Sequence, residues 1–395
     1  MSSATVSAVW DCLNYQRLRA LLVDAVAVYS PSYAEMPAVA VFAAHLERAG
    51  LSVERQPVPA PDGSVRSNLL VRLGPQPPSM LWVGHLDTVE AVHGFTPPRV
   101  AGDTLHGLGS ADMKSGCAAM VEAVLALHQS GAVLAQGLCL ALVVGEEEYG
   151  DGALALVTAV QAPLVVVSEP TDLLPCISHN GYLECQLTVQ GSRAHAAVPE
   201  LGANAIHAML TWVLAIYDGF QAPGLAAAVV ANPREIQGGS TMFVVPAACT
   251  ALVDVHWRPE VPPEAVYGAI EQARVQALNN HPLCGLTSVA NFSSMGYRNR
   301  PEDPLLEPFW RAFRTTGLAA EPSTFRSHSD AGVFHRAGCL TVVCGPGRLE
   351  FAHAPEEQVS LIQVEQAAHF YAALGWEVLV QPESAILNRQ GRKSY

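Results

Sequence analysis

The sequence predicts an α/β protein that carries a smaller inserted α+β domain. Short runs rich in Val and Leu alternate with longer Ala-rich stretches, a pattern typical of buried strands joined by helices. The runs that we interpret as strands are residues 80–83, 138–144, 164–167 and 340–343. At 395 residues, half of them apolar, the chain exceeds the length at which a single core usually stops growing. We therefore expect two domains.

The order of these elements predicts how the chain is divided. Residues 117–127 are helix formers with apolar side chains nearly all round, which indicates a helix packed against the sheet. In the middle third, residues 181–191 and 247–257 alternate like half-exposed strands, and residues 203–216 read as a helix between them. We expect one domain formed by residues 1–179 and 294–395, with residues 180–293 as the inserted domain.

Composition excludes several classes of partner. The chain has 22 Lys and Arg against 36 Asp and Glu, and its net charge of -14 repels nucleic acid and anionic membrane surfaces. Its nine cysteines are scattered, which predicts reduced and mostly buried thiols. The first residues lack a basic segment followed by an apolar run, and no apolar run approaches the roughly 20 residues of a membrane helix. We expect a cytoplasmic protein.

Polar residues follow the predicted strands where chemistry would be expected. His85 and Asp87 end the first strand, and period-two geometry places them on one face, which suits a metal-bound imidazole oriented by a carboxylate. Taken alone, this triplet favours a strand-end turn with a solvated histidine and an aspartate cap. Asp112 precedes the packed helix, where it is either a helix cap or a ligand at the strand ends.

Carboxylates also follow the next two strands. Glu146, Glu147 and Glu148 are adjacent after residues 138–144, and three neighbouring carboxylates at the end of a buried strand need a compensating positive charge. A solvated acidic turn is the alternative. Glu169 ends the third strand, and His353 follows the Gly-Pro-Gly turn after the last one. Two histidines and several carboxylates at the same strand ends predict a metal site.

In this order, these segments resemble the zinc exopeptidase family of clan MH, which includes aminoacylases, acetylornithine deacetylase, succinyl-diaminopimelate desuccinylase and glutamate carboxypeptidase. The resemblance spans most of the chain, from Ser-Pro-Ser at residues 30–32 to the C-terminal helix. It implies a catalytic domain with a mixed sheet flanked by helices, an inserted lid and dimerisation domain, and two zinc ions, with cobalt or manganese as substitutes. The implied ligands are Asp112 bridging both ions, His85 and Glu169 on one, and Glu148 and His353 on the other.

The resemblance also implies a general base in the glutamate run, with Asp87 as a further catalytic residue. We prefer Glu147 as the base and Glu148 as the ligand, because the family pattern is an acidic residue, two glutamates, any residue and then Gly. Gly150 fixes that frame. In the alternative register, Glu146 is the base and Glu147 is the ligand.

In the inserted domain, residues 191–205 are similar to the lid and dimerisation segment of the family. The similarity implies that His195 reaches the partner's active site in a homodimer and polarises the scissile carbonyl. Two substrate-side positions depart from the family pattern, since Phe243 stands at its usual Asn and His256 at its usual Arg. Arg258, expected on the same strand face, would supply the missing guanidinium. The predicted substrate contacts are Arg258, His256, Asn204 and Arg326.

The function implied is hydrolysis of an amide bond in a small carboxylate-bearing peptide or acyl-amino acid. Within it, a glutamate carboxypeptidase-like enzyme and an N-acyl amino acid deacylase are both compatible with the sequence. A non-catalytic metal-binding scaffold of the same fold and an aminopeptidase are the alternatives.

Overall fold

The computed structural model describes residues 6–92, 94–239 and 241–380. The chain divides into two compact units. The first is built from the described parts of residues 1–177, 299–325 and 329–395, and the second from residues 178–298 and 326–328. Residues 326–328 thus group with the second unit, although we expected them in the C-terminal part of the catalytic domain. The role of the inserted segment as a lid and dimerisation domain stays a prediction.

Helices and strands alternate along most of the chain. The helices are α1 (Val6–Trp10), α2 (Tyr15–Val26), α3 (Met36–Arg48), α4 (Ser115–Gln129), α5 (Asp151–Ala159), α6 (Ala205–Phe220), α7 (Pro263–Asn280), α8 (Glu307–Thr316), α9 (Ala331–Arg336) and α10 (Leu361–Gly375). The strands are β1 (Glu54–Pro59), β2 (Val65–Leu73), β3 (Met80–His85), β4 (Arg99–Ala101), β5 (Thr104–His106), β6 (Leu138–Val143), β7 (Leu164–Val167), β8 (Cys176–His179), β9 (Gly181–Gln190), β10 (Val229–Gly238), β11 (Ala248–Trp257), β12 (Gly285–Ser294), β13 (Tyr297–Arg298), β14 (Ser323–Phe325), β15 (Leu340–Val343) and β16 (Gln358–Ser360).

A mixed sheet forms the centre of the first unit. Its strands run in the order β1-β2-β6-β3-β7-β15-β8, and β6, β3, β7 and β15 are parallel neighbours. Every residue of these four strands is buried. Strands covered on both faces are apolar along their whole length, which is why the sequence shows them as continuous Val and Leu runs. All four predicted strands are confirmed.

Helices cover this sheet and complete the core of the first unit. In α4 the side chains from Ser115 to Leu127 are all buried, which confirms the predicted helix at residues 117–127. Helix α10 packs against α4 and α8, and its apolar residues join the same core. Since β6, β3, β7 and β15 are parallel, their carboxyl ends lie along one edge of the sheet, as we expected for the candidate ligands.

The second unit is a four-stranded antiparallel sheet packed against two helices. The strand order is β10-β11-β9-β12, and helices α6 and α7 pack against the sheet and against each other. Strand β9 alternates buried and half-buried residues, as a sheet with one covered face requires. The predicted strands at residues 181–191 and 247–257 and the helix at 203–216 are confirmed.

No helix in the described residues is both long enough and apolar enough to serve as a membrane span.

Candidate metal centre

His85 is the last residue of β3, and a backbone carbonyl orients its ring. The Nδ1–H group donates to the carbonyl oxygen of Asp87 at 3.0 Å, while the Asp87 carboxylate is farther away, at 3.6 Å. We predicted that the Asp87 carboxylate orients the His85 ring, but the backbone carbonyl of Asp87 is the closer group. Nε2 faces Asp112 and Glu169, donating to Asp112 Oδ1 at 3.2 Å and lying 3.8 Å from the nearest Glu169 oxygen. Because Nδ1 is held by the Asp87 carbonyl, Nε2 is the ring nitrogen that could bind a metal once its proton is lost.

Asp112 lies in the turn before α4, and its two carboxylate oxygens face different histidines. Oδ1 is 3.2 Å from His85 Nε2, and Oδ2 is 3.4 Å from His353 Nε2. Burial opposes ionisation of this carboxyl, but hydrogen bonds from His353 and His85 outweigh it and hold the pKa below its ordinary value. The position before α4 that a capping residue would occupy belongs to Lys114, so Asp112 does not cap the helix.

Two groups of potential ligand atoms share Asp112. The first comprises His85, Asp112 and Glu169, and the second comprises Asp112, Glu147 and His353. Within each group the ligand atoms lie within 4.8 Å of one another. A carboxylate common to both groups is what a bridged pair of metal ions requires.

In the glutamate run, the distances to His85 and His353 favour the alternative register over the preferred one. Glu147 lies 3.0 Å from His353 Nε2, in the place that we predicted for Glu148, and Glu148 is exposed. Glu146 lies 4.0 Å from His85 Nε2. The cause is the buried Asp87 carboxylate, which accepts the backbone N–H groups of Glu146 at 3.2 Å and Glu147 at 2.9 Å. These bonds hold Glu146 and Glu147 at the site.

The carboxylates of the site are too concentrated to be stable as anions without a cation. Burial raises the pKa of Glu169 and of Glu146 well above the ordinary value, and burial with the charge of Asp112 raises that of Glu147. The buried Oε1 atom of Glu169 has no hydrogen-bond partner among the described residues. An ion would supply the missing charge and partner, and mixed imidazole and carboxylate ligation suits zinc. The residues therefore fit a metal pair.

His353 is half-exposed and lies in a turn after β15. Burial lowers its pKa, but hydrogen bonds to Asp112 and Glu147 act in the opposite direction and raise it to about 11. The ring is therefore protonated in the metal-free protein near neutral pH. Its positive charge then partly balances the carboxylates of Asp112 and Glu147.

Three buried charged groups near the site were not predicted. Asp330 is buried, and burial raises its pKa to about 8. Glu357 accepts hydrogen bonds from the turn that carries Asp112. Arg66 pairs with the buried Glu35 beside the glutamate run. Each acts through contacts distant in sequence, and no local pattern marks any of them.

His195 and Asn204, two of the predicted residues in the second unit, form hydrogen bonds with backbone groups two or three residues away. His195 is exposed, and its Nδ1 accepts the backbone N–H of Ala197 at 3.1 Å. Asn204 caps α6, since its Oδ1 accepts the backbone N–H of His207 at 3.0 Å. The substrate-side roles of both residues stay predictions.

The other three predicted substrate contacts are His256, Arg258 and Arg326, which lie on β11 or in loops. His256 is on β11, and burial lowers its pKa. Arg258 is exposed and directly follows Trp257, the last residue of β11, and its placement on the strand face of His256 stays a prediction. Arg326 is also exposed. Phe243, at the family's usual Asn, is 67% exposed.

Comparisons with known proteins identify the family and relatives of the chain. Residues 81–377 match the model of peptidase family M20/M25/M40. The chain is 29% identical to an acetylornithine deacetylase of Myxococcus xanthus, over 87% of this chain and 92% of that protein. It is 28% identical to a probable carboxypeptidase of Aspergillus terreus, over 94% and 89% of the two chains.

The fold is also found among solved structures. A tripeptidase of Staphylococcus aureus superposes with a TM-score of 0.79 at 18% identity, covering 92% of this chain and 98% of that one. The sequence matches show a hydrolase that acts on amide or peptide bonds and comes from a metal-dependent family. With the match covering most of its length, the chain belongs to peptidase family M20/M25/M40, a family of dinuclear zinc exopeptidases.

Proposed function

We propose that the protein is a dinuclear zinc hydrolase that cleaves an amide bond in a small carboxylate-bearing substrate, as a carboxypeptidase or an N-acyl amino acid deacylase. The observation that carries this proposal is the Asp112 carboxylate, which faces both ligand groups at once. The acetylornithine deacetylase and probable carboxypeptidase among its relatives support the substrate class.

The ligands of the two ions would be His85, Asp112 and Glu169 for the first, and Asp112, Glu147 and His353 for the second. When bound there, zinc would activate a water molecule by lowering its pKa and would polarise the amide carbonyl. His85 is fixed for this role because its Nδ1–H bond to the Asp87 carbonyl leaves Nε2 free to bind metal.

Glu146 is the general base in this proposal. It belongs to neither ligand group, yet it lies 4.0 Å from His85 Nε2. Burial raises the pKa of its carboxyl well above the ordinary value, which favours accepting a proton near neutral pH. Glu146 would accept a proton from the attacking water and then deliver it to the leaving nitrogen, since an amine departs more readily when it is neutral.

The second unit would supply the substrate contacts. We propose that the protein acts as a homodimer in which His195 polarises the scissile carbonyl, as the family resemblance implies. Asn204 and His256 remain candidate substrate contacts. Because burial lowers the pKa of His256, its ring is neutral at pH 7 and cannot replace the charge of an arginine. Arg258 and Arg326 are therefore the candidates for binding the substrate carboxylate.

A substrate panel with matched variants tests the proposal. N-acylated amino acids and dipeptides would be incubated with the wild type, with and without chelator, and with Glu146→Gln and Glu148→Gln. We expect chelator-sensitive hydrolysis, a loss of about 10²- to 10⁴-fold in kcat for Glu146→Gln with unchanged metal content, and near wild-type kcat for Glu148→Gln.

Two results would count against this proposal. Absence of chelator-sensitive hydrolysis across the panel would favour a metal-binding scaffold. Equal losses in the Glu146 and Glu148 variants would reject Glu146 as the base.

A further inference from the structure

Glu357 is a buried carboxylate that is not itself a ligand. It is 3% exposed, and its carboxylate faces the turn that carries Asp112. Oε1 accepts the backbone N–H groups of Ala111 at 2.8 Å and Asp112 at 3.0 Å, and Oε2 accepts that of Gly109 at 2.9 Å. One side chain thus satisfies three backbone donors of the turn.

The main chain of Glu357 connects this turn to a second one. Its N–H group donates to the carbonyl oxygen of Ala354 at 3.1 Å, next to His353. Its own carbonyl accepts the N–H group of Gly107 at 3.0 Å, and β16 continues from it into pairing with β5. Glu357 therefore joins the turn of Asp112 to the turn of His353.

The two ligand groups share Asp112, but their remaining ligands differ in how they depend on this connection. His85 and Glu169 extend from the buried strands β3 and β7, which hold them without help from Glu357. Asp112 and His353 both lie on turns, and both turns are bonded to Glu357. Glu357 is thus bonded to both of the turns that carry these two ligands.

We propose that Glu357 is a positioning residue that sets the affinity of the second metal site, formed by Asp112, Glu147 and His353. This inference rests on the proposed two-metal function. Its physical basis is that a residue which orients a ligand controls how much reorganisation metal binding requires.

A carboxylate is needed here because all three partners are donors. A glutamine of the same shape would keep one accepting oxygen but would place an NH₂ group against one of the N–H groups. If the oxygen remained on Ala111 and Asp112, the amide nitrogen would oppose Gly109. Glu357→Gln thus perturbs the turn without creating a cavity.

The test compares Glu357→Gln with Glu356→Gln in the full chain. Glu356 is the adjacent residue and is exposed, so its variant makes the same charge change without touching the turn. Metal-free protein would be titrated with zinc against a competing chromophoric chelator, near pH 8. Burial raises the pKa of Glu357 to about 7, so its carboxylate is mainly ionised there.

We expect two zinc ions per chain in the wild type and in Glu356→Gln, and each site should have the same zinc affinity in both proteins. In Glu357→Gln the second zinc should bind about 10- to 100-fold more weakly. The first zinc, which shares Asp112 but takes its other two ligands from His85 and Glu169, should be weakened much less. Excess zinc should restore kcat, which a global loss of structure would not allow.

The outcomes separate this inference from the proposed function. Wild-type affinity at both sites of Glu357→Gln, or equal weakening of both, overturns the positioning role and leaves the two-metal function intact. A wild type that binds fewer than two zinc ions overturns the proposed function instead. If Glu357→Gln fails to fold, Glu357→Asp takes its place. It keeps the charge but shortens the reach, and unchanged affinity for the second zinc in that variant would equally overturn the inference.

Discussion

Replacing Arg66 with methionine should destabilise the first unit by about 3–5 kcal/mol at pH 7.5. Arg66 is 1% exposed, and its Nη1 donates at 2.7 Å to Oε1 of Glu35, which is 0% exposed. Its other terminal nitrogen pairs with Asp151. Methionine keeps most of the apolar stem but removes the charge, so Glu35 would remain buried without its ionic partner.

The size of this loss should depend on pH. Burial already raises the pKa of Glu35 above its ordinary value with Arg66 present, and removing the guanidinium must raise it further. A carboxyl with a folded pKa above its unfolded value, about 4.3, destabilises the fold at higher pH. The penalty disappears as the pH falls toward the unfolded pKa. The deficit of Arg66→Met should therefore shrink between pH 7.5 and pH 5.

Urea unfolding followed by far-UV circular dichroism measures this effect, with Arg72→Met as the matched control. Arg72 is on the same strand and pairs with Glu54 at 3.2 Å, but the two side chains are 33% and 56% exposed. Its loss should cost less than about 1 kcal/mol. Our reasoning is refuted if Arg66→Met loses no more stability than Arg72→Met, or if its deficit is the same at both pH values.

Three further outcomes follow from the site and its surroundings. Burial lowers the pKa of His353, but hydrogen bonds to Asp112 and Glu147 raise it to about 11, so zinc must displace a proton from its ring. Zinc titration in weak buffer should therefore release protons, and zinc binding without proton release would contradict this prediction. Burial raises the pKa of Cys117 to about 12, so iodoacetamide should modify it in urea but not in the native protein, as peptide mass spectrometry would show. In Gly116→Ala the new Cβ would lie 2.2 Å from the Ser168 hydroxyl, next to Glu169, which should cost about 1–3 kcal/mol of stability. Gly268→Ala in α7, with no atom within 4 Å of the new Cβ, should not destabilise the protein, and equal thermal shifts in the two variants would reject the packing argument.

Much of the fold could be predicted because the central strands are covered on both faces. Their unbroken Val and Leu runs distinguish them from helices, and their order places the polar residues that follow at one edge. Strands β10 and β12 were missed because they lie at the edges of their sheet and are mostly exposed, with sequences such as Asn-Pro-Arg-Glu in β10. Without a buried alternating face, such strands resemble loops.

The register of the glutamate run could not be predicted from local sequence. Three identical residues offer no chemical distinction, and Gly150 suggested a frame that the distances to His85 and His353 do not favour. The choice is made by Asp87, whose carboxylate accepts the N–H groups of Glu146 and Glu147 from nearly 60 residues away in the chain. Glu357 was missed for the same reason, because its partners are backbone groups of a distant turn.

The most direct test of the two-metal site is a crystal structure of the zinc-loaded protein with anomalous diffraction measured at the zinc edge. We predict two peaks about 3.5–4 Å apart, with Asp112 bound to both and Glu147 bound to the second. A single peak, or Glu148 in place of Glu147 at the second ion, would contradict the site described here.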